Sequence, residues 1–163
     1  MKTLILVRHA KASKGMRNVN DIDRPLLESG IKETYLMGHF LKKNNYKADL
    51  IISSPAVRAY SRGFILARIS EYPSKKIKIN ENLYQKGEKG YYDVLSELKN
   101  KHKTVMLAGH NPDFENVVKR LCNQFDNEVP PGSVIVIQLK INDWDEIKNV
   151  KGEVRFFKFP KGR

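Results

Sequence analysis

Cysteine is nearly absent from this sequence: Cys122 is the only one in 163 residues. One thiol excludes an internal disulfide framework and suits a reducing compartment. Long apolar runs are missing as well. The first, Leu4-Ile5-Leu6-Val7, is far too short for the core of a secretory signal or for a membrane span, so a soluble, cytoplasmic protein is expected. Acidic side chains are scarce, with 18 Asp and Glu against 30 Lys and Arg and a formal net charge of +12. The resulting field attracts anions, whether nucleic acid, an anionic membrane or a phosphorylated molecule, and charge alone does not choose among them. The chain also lacks internal repeats, low-complexity tracts, a composition break and a P-loop pattern, and one domain over residues 1–163 is expected. Clustered Asp/His spacing that would hold a metal ion is missing, as is basic-aromatic interleaving or a recognised nucleic-acid motif. Neither a metal nor a nucleic-acid or membrane partner is expected.

What the chain does have is a series of short, wholly apolar segments that run straight into polar residues. Residues 2–10 read as a strand buried on both faces, and Arg8 and His9 arrive where it would emerge. Residues 48–54 read as a second buried strand ending in Ser53-Ser54-Pro55, and residues 104–108 as another ending in Gly109-His110-Asn111-Pro112. In open α/β sheets, ligands bind outside the carboxyl ends of the strands. An arginine there offers a planar fork of donors that matches phosphate or carboxylate oxygens, and a histidine there can serve as nucleophile, base or metal ligand.

Between these strands the pattern predicts helices. One starts near Ser29-Gly30, capped by Ser29, with an apolar stripe at Leu36, Met37, Phe40 and Leu41 packed on the sheet. Another starts with Ser54 as cap and Pro55 in its first turn, which puts Arg58 about one turn in, either as an anion ligand or as a surface ion-pair partner, with Arg62 and Arg68 in solvent. Residues 91–98 form a third, and a fourth opens at Asp113 and carries a buried, inert Cys122. Residues 11–20 and 81–90 read as loops, residues 76–80 as a lysine-edged outer strand, and residues 133–139 and 154–159 as a closing pair of strands. Trp144, in the linker between them, pins the connection to the core.

Taken together, Val7-Arg8-His9-Ala10, Ser53-Ser54-Pro55-Ala56-Val57-Arg58-Ala59 and Ala108-Gly109-His110-Asn111-Pro112, in that order, resemble the histidine phosphatase superfamily with its phosphoglycerate-mutase-like fold. Within it, the short chain, Asp23-Arg24-Pro25-Leu26 with Gly30, and Gly-His-Asn-Pro are similar to the SixA-like phosphohistidine phosphatases. The resemblance implies a three-layer α/β/α sandwich around a mostly parallel sheet of about six strands. By similarity His9 is the nucleophile, phosphorylated transiently on the ring nitrogen whose tautomer a backbone acceptor at the other nitrogen must fix. Arg8, Arg58 and a protonated His110 bind the phosphoryl oxygens, and Arg24 is either a further pocket residue or an ion-pair partner of Asp21 or Asp23. The implied partner is a phosphorylated substrate, including a phosphohistidine-containing protein, and no cofactor is implied.

The chain departs from the superfamily in one chemically informative place. Where many members carry a glutamate as general acid, residues 81–88 read Glu-Asn-Leu-Tyr-Gln-Lys-Gly-Glu, with Glu81 and Glu88 as stand-ins or as ordinary solvated side chains. An alkoxide leaving group needs a proton, whereas imidazole, with a reference pKa of about 6.5, leaves from phosphohistidine with little help. A weak acid therefore favours a phosphoramidate over a phosphate ester. A broader phosphomonoesterase and a catalytically weak anion-binding or nucleic-acid-binding module are the alternatives. Smaller departures are Tyr60-Ser61-Arg62-Gly63 where relatives show threonine and alanine, and Leu27 where a capping threonine is usual.

Overall fold

In the computed structural model, which describes residues 1–15 and 17–160, the apolar segments form one six-stranded sheet. Met16, within the loop read over residues 11–20, lies outside the described residues. The elements run β1 (Lys2–Arg8), α1 (Glu28–Lys43), β2 (Leu50–Ser53), α2 (Val57–Ile69), β3 (Lys78–Ile79), α3 (Gly87–Ser96), β4 (Thr104–Gly109), α4 (Asp113–Leu121), β5 (Val134–Leu139) and β6 (Gly152–Lys158). Across the sheet the order is β3-β2-β4-β1-β5-β6. Pairing is parallel from β3 through β1, while β5 is antiparallel to both β1 and β6, so β5 alone runs against the rest.

Alternation along β1 explains the three layers. Leu4 and Leu6 point to one face, where they meet α3, α4 and the Trp144–Asn149 3₁₀ turn; Ile5 and Val7 point to the other, onto Met37 and Leu41 of α1 and Leu66 of α2. All four are fully buried, each contributing about 1.5–3 kcal/mol relative to exposure. A strand covered on both faces has no polar alternation to show, which is why these segments read as unbroken apolar runs. Trp144 is buried, and its Nε1–H donates to the His102 carbonyl at 2.7 Å.

Local details correct several expectations. Helix α1 starts at Glu28 with Leu27 as its cap residue, so Ser29 lies inside the first turn and caps nothing. A tertiary contact sets the start instead: the Leu27 N–H donates to the Lys11 carbonyl at 2.8 Å, and a Cβ on Gly30 would come within 2.5 Å of that same oxygen. Of the expected α1 stripe, Met37 and Leu41 are buried and Phe40 is half-buried against Phe156, but Leu36 is 72 % exposed. Helix α2 starts at Val57, because Ala56 is extended at φ −64° and ψ 134° and stands as its cap residue. The Ser54 hydroxyl instead accepts the Ala56 N–H at 3.1 Å, and Arg58 becomes the second helical residue. Residues 81–90 are only partly loop: Glu81–Leu83 is a 3₁₀ turn and α3 begins at Gly87, after Gln85 in the left-handed region at φ 57°. Cys122 ends α4, buried, with its thiol pushed up to about 11 by burial.

Candidate active site

Three adjacent parallel strands, β2, β4 and β1, end at one edge of the sheet, with Arg8 opposite Gly109 and Ser53 opposite Ala108. Their exits bring Arg8, His9, Arg58 and His110 into one open pocket of about 720 Å³, with Lys11, Lys14 and Arg24 on its wall. The wall thus carries five fixed cations and, among the described residues, no carboxylate.

His9 is held through its backbone and its ring. Its N–H donates to the Gly109 carbonyl at 3.1 Å, and its carbonyl accepts the Gly132 N–H at 3.0 Å. Its Nδ1 lies 2.9 Å from the Ala10 carbonyl oxygen. A carbonyl can only accept, so the ring proton sits on Nδ1 and the lone pair on Nε2. Burial, reinforced by Arg58, Arg8 and Arg24, holds the ring down at about 4, and it is neutral at pH 7.

His110 is positioned by Gly109 and Tyr91. A Cβ at residue 109 would come within 2.1 Å of the Tyr91 hydroxyl; with glycine there, that hydroxyl accepts the His110 N–H at 3.0 Å and donates to the Leu83 carbonyl at 3.1 Å. The close approach that this glycine permits is therefore to a tyrosine. His110 Nε2 lies 2.8 Å from Ser54 Oγ. That oxygen also accepts the Ala56 N–H, and among the described residues Nδ1 of His110 has no partner. Against the expected protonated ring, burial, His9 and Arg58 push the His110 imidazole of the ligand-free site down to about 3. The two imidazole centroids are 5.3 Å apart.

Among the arginines, Arg8 donates to the Val129 carbonyl and Arg58 donates to the Asp21 carbonyl at 2.7 Å. The Asp21 carboxylate, missed as a site residue, pairs with Arg58 at 3.1 Å and Arg24 at 3.0 Å and accepts from the Tyr84 hydroxyl at 2.6 Å. The Tyr84 bond, with the two arginines, holds this carboxyl down at about 2. Arg24 is thus both a wall residue and the ion-pair partner of Asp21. Its other bond runs to the Ser13 carbonyl at 2.7 Å. Asp21 and Tyr84 are 63 residues apart, and only the neighbouring Arg24 hinted at the former.

A side compartment of about 320 Å³ shares Arg58 and His110 with the main pocket and is lined by Asp21, Tyr84, Gln85 and Asp113. Asp113, at the start of α4, was also missed; burial and Glu88 push its carboxyl upward. Glu88 itself lines neither space, sitting in the first turn of α3, and Glu81 is exposed in its 3₁₀ turn. Arg62, expected in solvent, is fully buried: it donates to Thr34 Oγ1 at 2.9 Å and to the Gly132 carbonyl at 2.7 Å, tying α2 to α1 and to the turn that holds His9. The one cluster of carboxylates with metal-like spacing among the described residues, Asp143, Asp145 and Glu146, follows β5 at the other end of the sheet. There Asp143 and Glu146 cap the 3₁₀ turn reciprocally.

No helix among the described residues is long and apolar enough to cross a membrane. Comparison with protein-family models gives no match, and comparison with curated proteins gives none. Solved structures do match. A candidate phosphohistidine phosphatase SixA from Nakamurella multipartitia superposes with a TM-score of 0.82 at 20 % identity, covering 99 % of this chain and 97 % of that one. A protein histidine phosphatase SixA complexed with tungstate gives 0.81 at 20 % identity over 96 % of both chains. A mycobacterial glucosyl-3-phosphoglycerate phosphatase gives 0.68 at 12 % identity over 94 % of this chain and 97 % of its own. At these identities the likeness is one of architecture, and this chain has, from end to end, the fold of the SixA structures.

Proposed function

We propose that this protein is a phosphatase that hydrolyses phosphohistidine through a phosphorylated His9. The observation that carries the reading is a neutral histidine with its Nε2 lone pair free, set in a wall of five cations without a carboxylate. Such a wall suits a phosphoryl dianion, and two SixA neighbours bear names that state or suggest this activity.

In this mechanism Nε2 of His9 attacks phosphorus while the bond from phosphorus to the substrate's ring nitrogen breaks, and the departing imidazole takes up a proton. Water then attacks the phosphoryl group on His9, the Nε2–P bond breaks, and inorganic phosphate leaves with a proton released. Arg8 and Arg58 stabilise the charge on the transferring group, and His110 supplies an N–H donor from a ring whose other nitrogen Ser54 occupies. Asp21 is too acidic to donate a proton at neutral pH. Imidazole does not demand a strong donor, so the phosphoramidate is the favoured substrate.

One observation favours ester cleavage as a second reading: Asp113, on the compartment shared with His110, is the site carboxyl whose affinity for a proton is raised. Hydrolysis of free phosphohistidine and of an alkyl phosphate, side by side, separates the two. The proposal expects phosphohistidine to be cleaved at least tenfold more efficiently and His9→Ala to abolish that turnover. Faster cleavage of the ester, reduced by Asp113→Asn, would establish the second reading.

A further inference from the structure

Helix α1 and the residue that caps it carry an apolar row that the fold covers only in part. The inner face of the helix, with Gly30, Thr34, Met37, Gly38 and Leu41, is buried against the sheet and α2. Beside that face Leu27, Ile31 and Tyr35 succeed one another at intervals of four, 43 %, 38 % and 49 % exposed. These three are among only eight large hydrophobic residues so exposed among the described residues, and the other five form no such row. Side chains four apart on a helix stand one above the other, which makes Ile31 and Tyr35 neighbours, and the Ile31 N–H donates to the carbonyl of the cap residue Leu27 at 3.0 Å. With a rise of about 1.5 Å per residue it runs about 12 Å.

Its starting point gives it meaning. Leu27 is at once the first member of the row and part of the wall of the pocket that holds His9. Its N–H is bonded to the Lys11 carbonyl, and Lys11, Lys14 and Arg24 stand on the same wall. The surface is thus an apolar track leading out of the pocket, with basic side chains around its mouth. A ligand confined to the pocket does not reach Tyr35. A folded protein presenting its phosphohistidine to His9 would lie over that track.

We propose that the Leu27–Ile31–Tyr35 row is the docking surface for a protein substrate, one that carries its phosphohistidine beside an apolar strip edged with acidic residues. The inference rests on the phosphatase reading and adds where the substrate's body sits. Charge complementarity argues for the acidic edge, since the chain carries a net charge of +12. Modest size argues for a passing substrate: three partly exposed side chains supply only a fraction of the ~800 Å² per partner that a stable complex buries. Short-lived docking suits an enzyme that must release its product. Tyrosine, apolar in body with a polar tip, is a residue type enriched at such contacts.

The test compares two substrates across surface variants that leave the pocket intact. The probes are free phosphohistidine and a folded acidic protein whose surface histidine has been phosphorylated with phosphoramidate. We expect the wild type to prefer the protein. Ile31→Glu and Tyr35→Glu should each lower kcat/KM for the protein about tenfold, mainly through KM, and change free phosphohistidine less than twofold. Leu36→Glu, more exposed than the row but turned about 100° around α1 from Tyr35, should change neither. Equal losses on both substrates, no loss on either, or wild-type preference for the free amino acid would overturn the docking surface. Failure of the wild type to cleave either substrate would overturn the phosphatase reading and the docking surface with it.

Discussion

Arg58 and Arg62 stand one turn apart on α2, both almost wholly withdrawn from solvent, and they are built for different ends. Arg58 reaches the pocket and carries its counter-charge with it, since Asp21 binds it through both carbonyl and carboxylate. Arg62 has, among the described residues, only neutral partners, the Thr34 hydroxyl and the Gly132 carbonyl, and burial pushes its guanidinium down to about 9. A guanidinium that faces the pocket and is held there by a partly exposed aspartate is placed to meet an anion. One that is sealed among neutral acceptors is a structural tie. Sequence spacing singles out Arg58 but gives no sign that Arg62 is buried; their partners decide which is which.

The contrast is sharpest in stability. Arg62→Ala leaves the Thr34 hydroxyl and Gly132 carbonyl without their donor and opens a cavity between α1 and α2. It should cost about 3 kcal/mol, or a fall of about 6–12 °C in Tm by calorimetry, with the activity of the folded fraction kept near wild type. An unchanged Tm would break the comparison from that side. Arg58→Ala should do the reverse, lowering kcat/KM for phosphohistidine by about a hundredfold, the loss typical of one transition-state charge contact, with little change in Tm. A rate within a few-fold of wild type would place Arg58 among the structural arginines.

Smaller, but specific to the pocket, is the titration of His9. With the ring held down at about 4, the neutral nucleophile persists as pH falls, and kcat/KM corrected for spontaneous hydrolysis should stay level through pH 6 and decline only on approach to about 4. Arg58 is one of the charges holding that value down, so Arg58→Ala should move the acid limb upward and Arg62→Ala should not. The same depression couples to folding. The unfolded histidine takes a proton at about 6.5 and the folded one does not, so stability falls as pH drops from about 6.5 towards 4. A decline in kcat/KM that begins at pH 6.5 would show His9 to be an ordinary, solvated imidazole.

Much of the fold was legible because its strands are buried on both faces. Residues 4–7, 50–52 and 105–108 leave no polar gap; Arg8, His9 and His110, beyond the first and last of them, line the pocket, and Ser54, beyond the second, contacts His110. The backbone acceptor required beside His9 is the Ala10 carbonyl. What could not be read depends on partners distant in sequence. Arg62 finds Gly132 at a separation of 70 residues, Asp21 finds Arg58 at 37 and Tyr84 at 63, and nothing local announces any of these bonds. Helix starts were misplaced for the same reason. The carbonyl of Lys11 sets the start of α1, where a capping side chain at Ser29 had been expected. Residues 87–90, with two glycines in four, carry no apolar period to mark the first turn of α3. Spacing cannot report burial either, and burial is the largest influence on the His110 ring.

The most direct test of the central claim is to trap the phosphoryl group. The enzyme is mixed with phosphohistidine, quenched in alkali within one turnover, where phosphoramidates survive, and mapped by peptide mass spectrometry. The account predicts one phosphoryl group on His9, attached at Nε2, absent from His9→Ala and still formed by Arg62→Ala. Turnover of phosphohistidine with no phosphoryl group on His9, or with the label on His110, would contradict it.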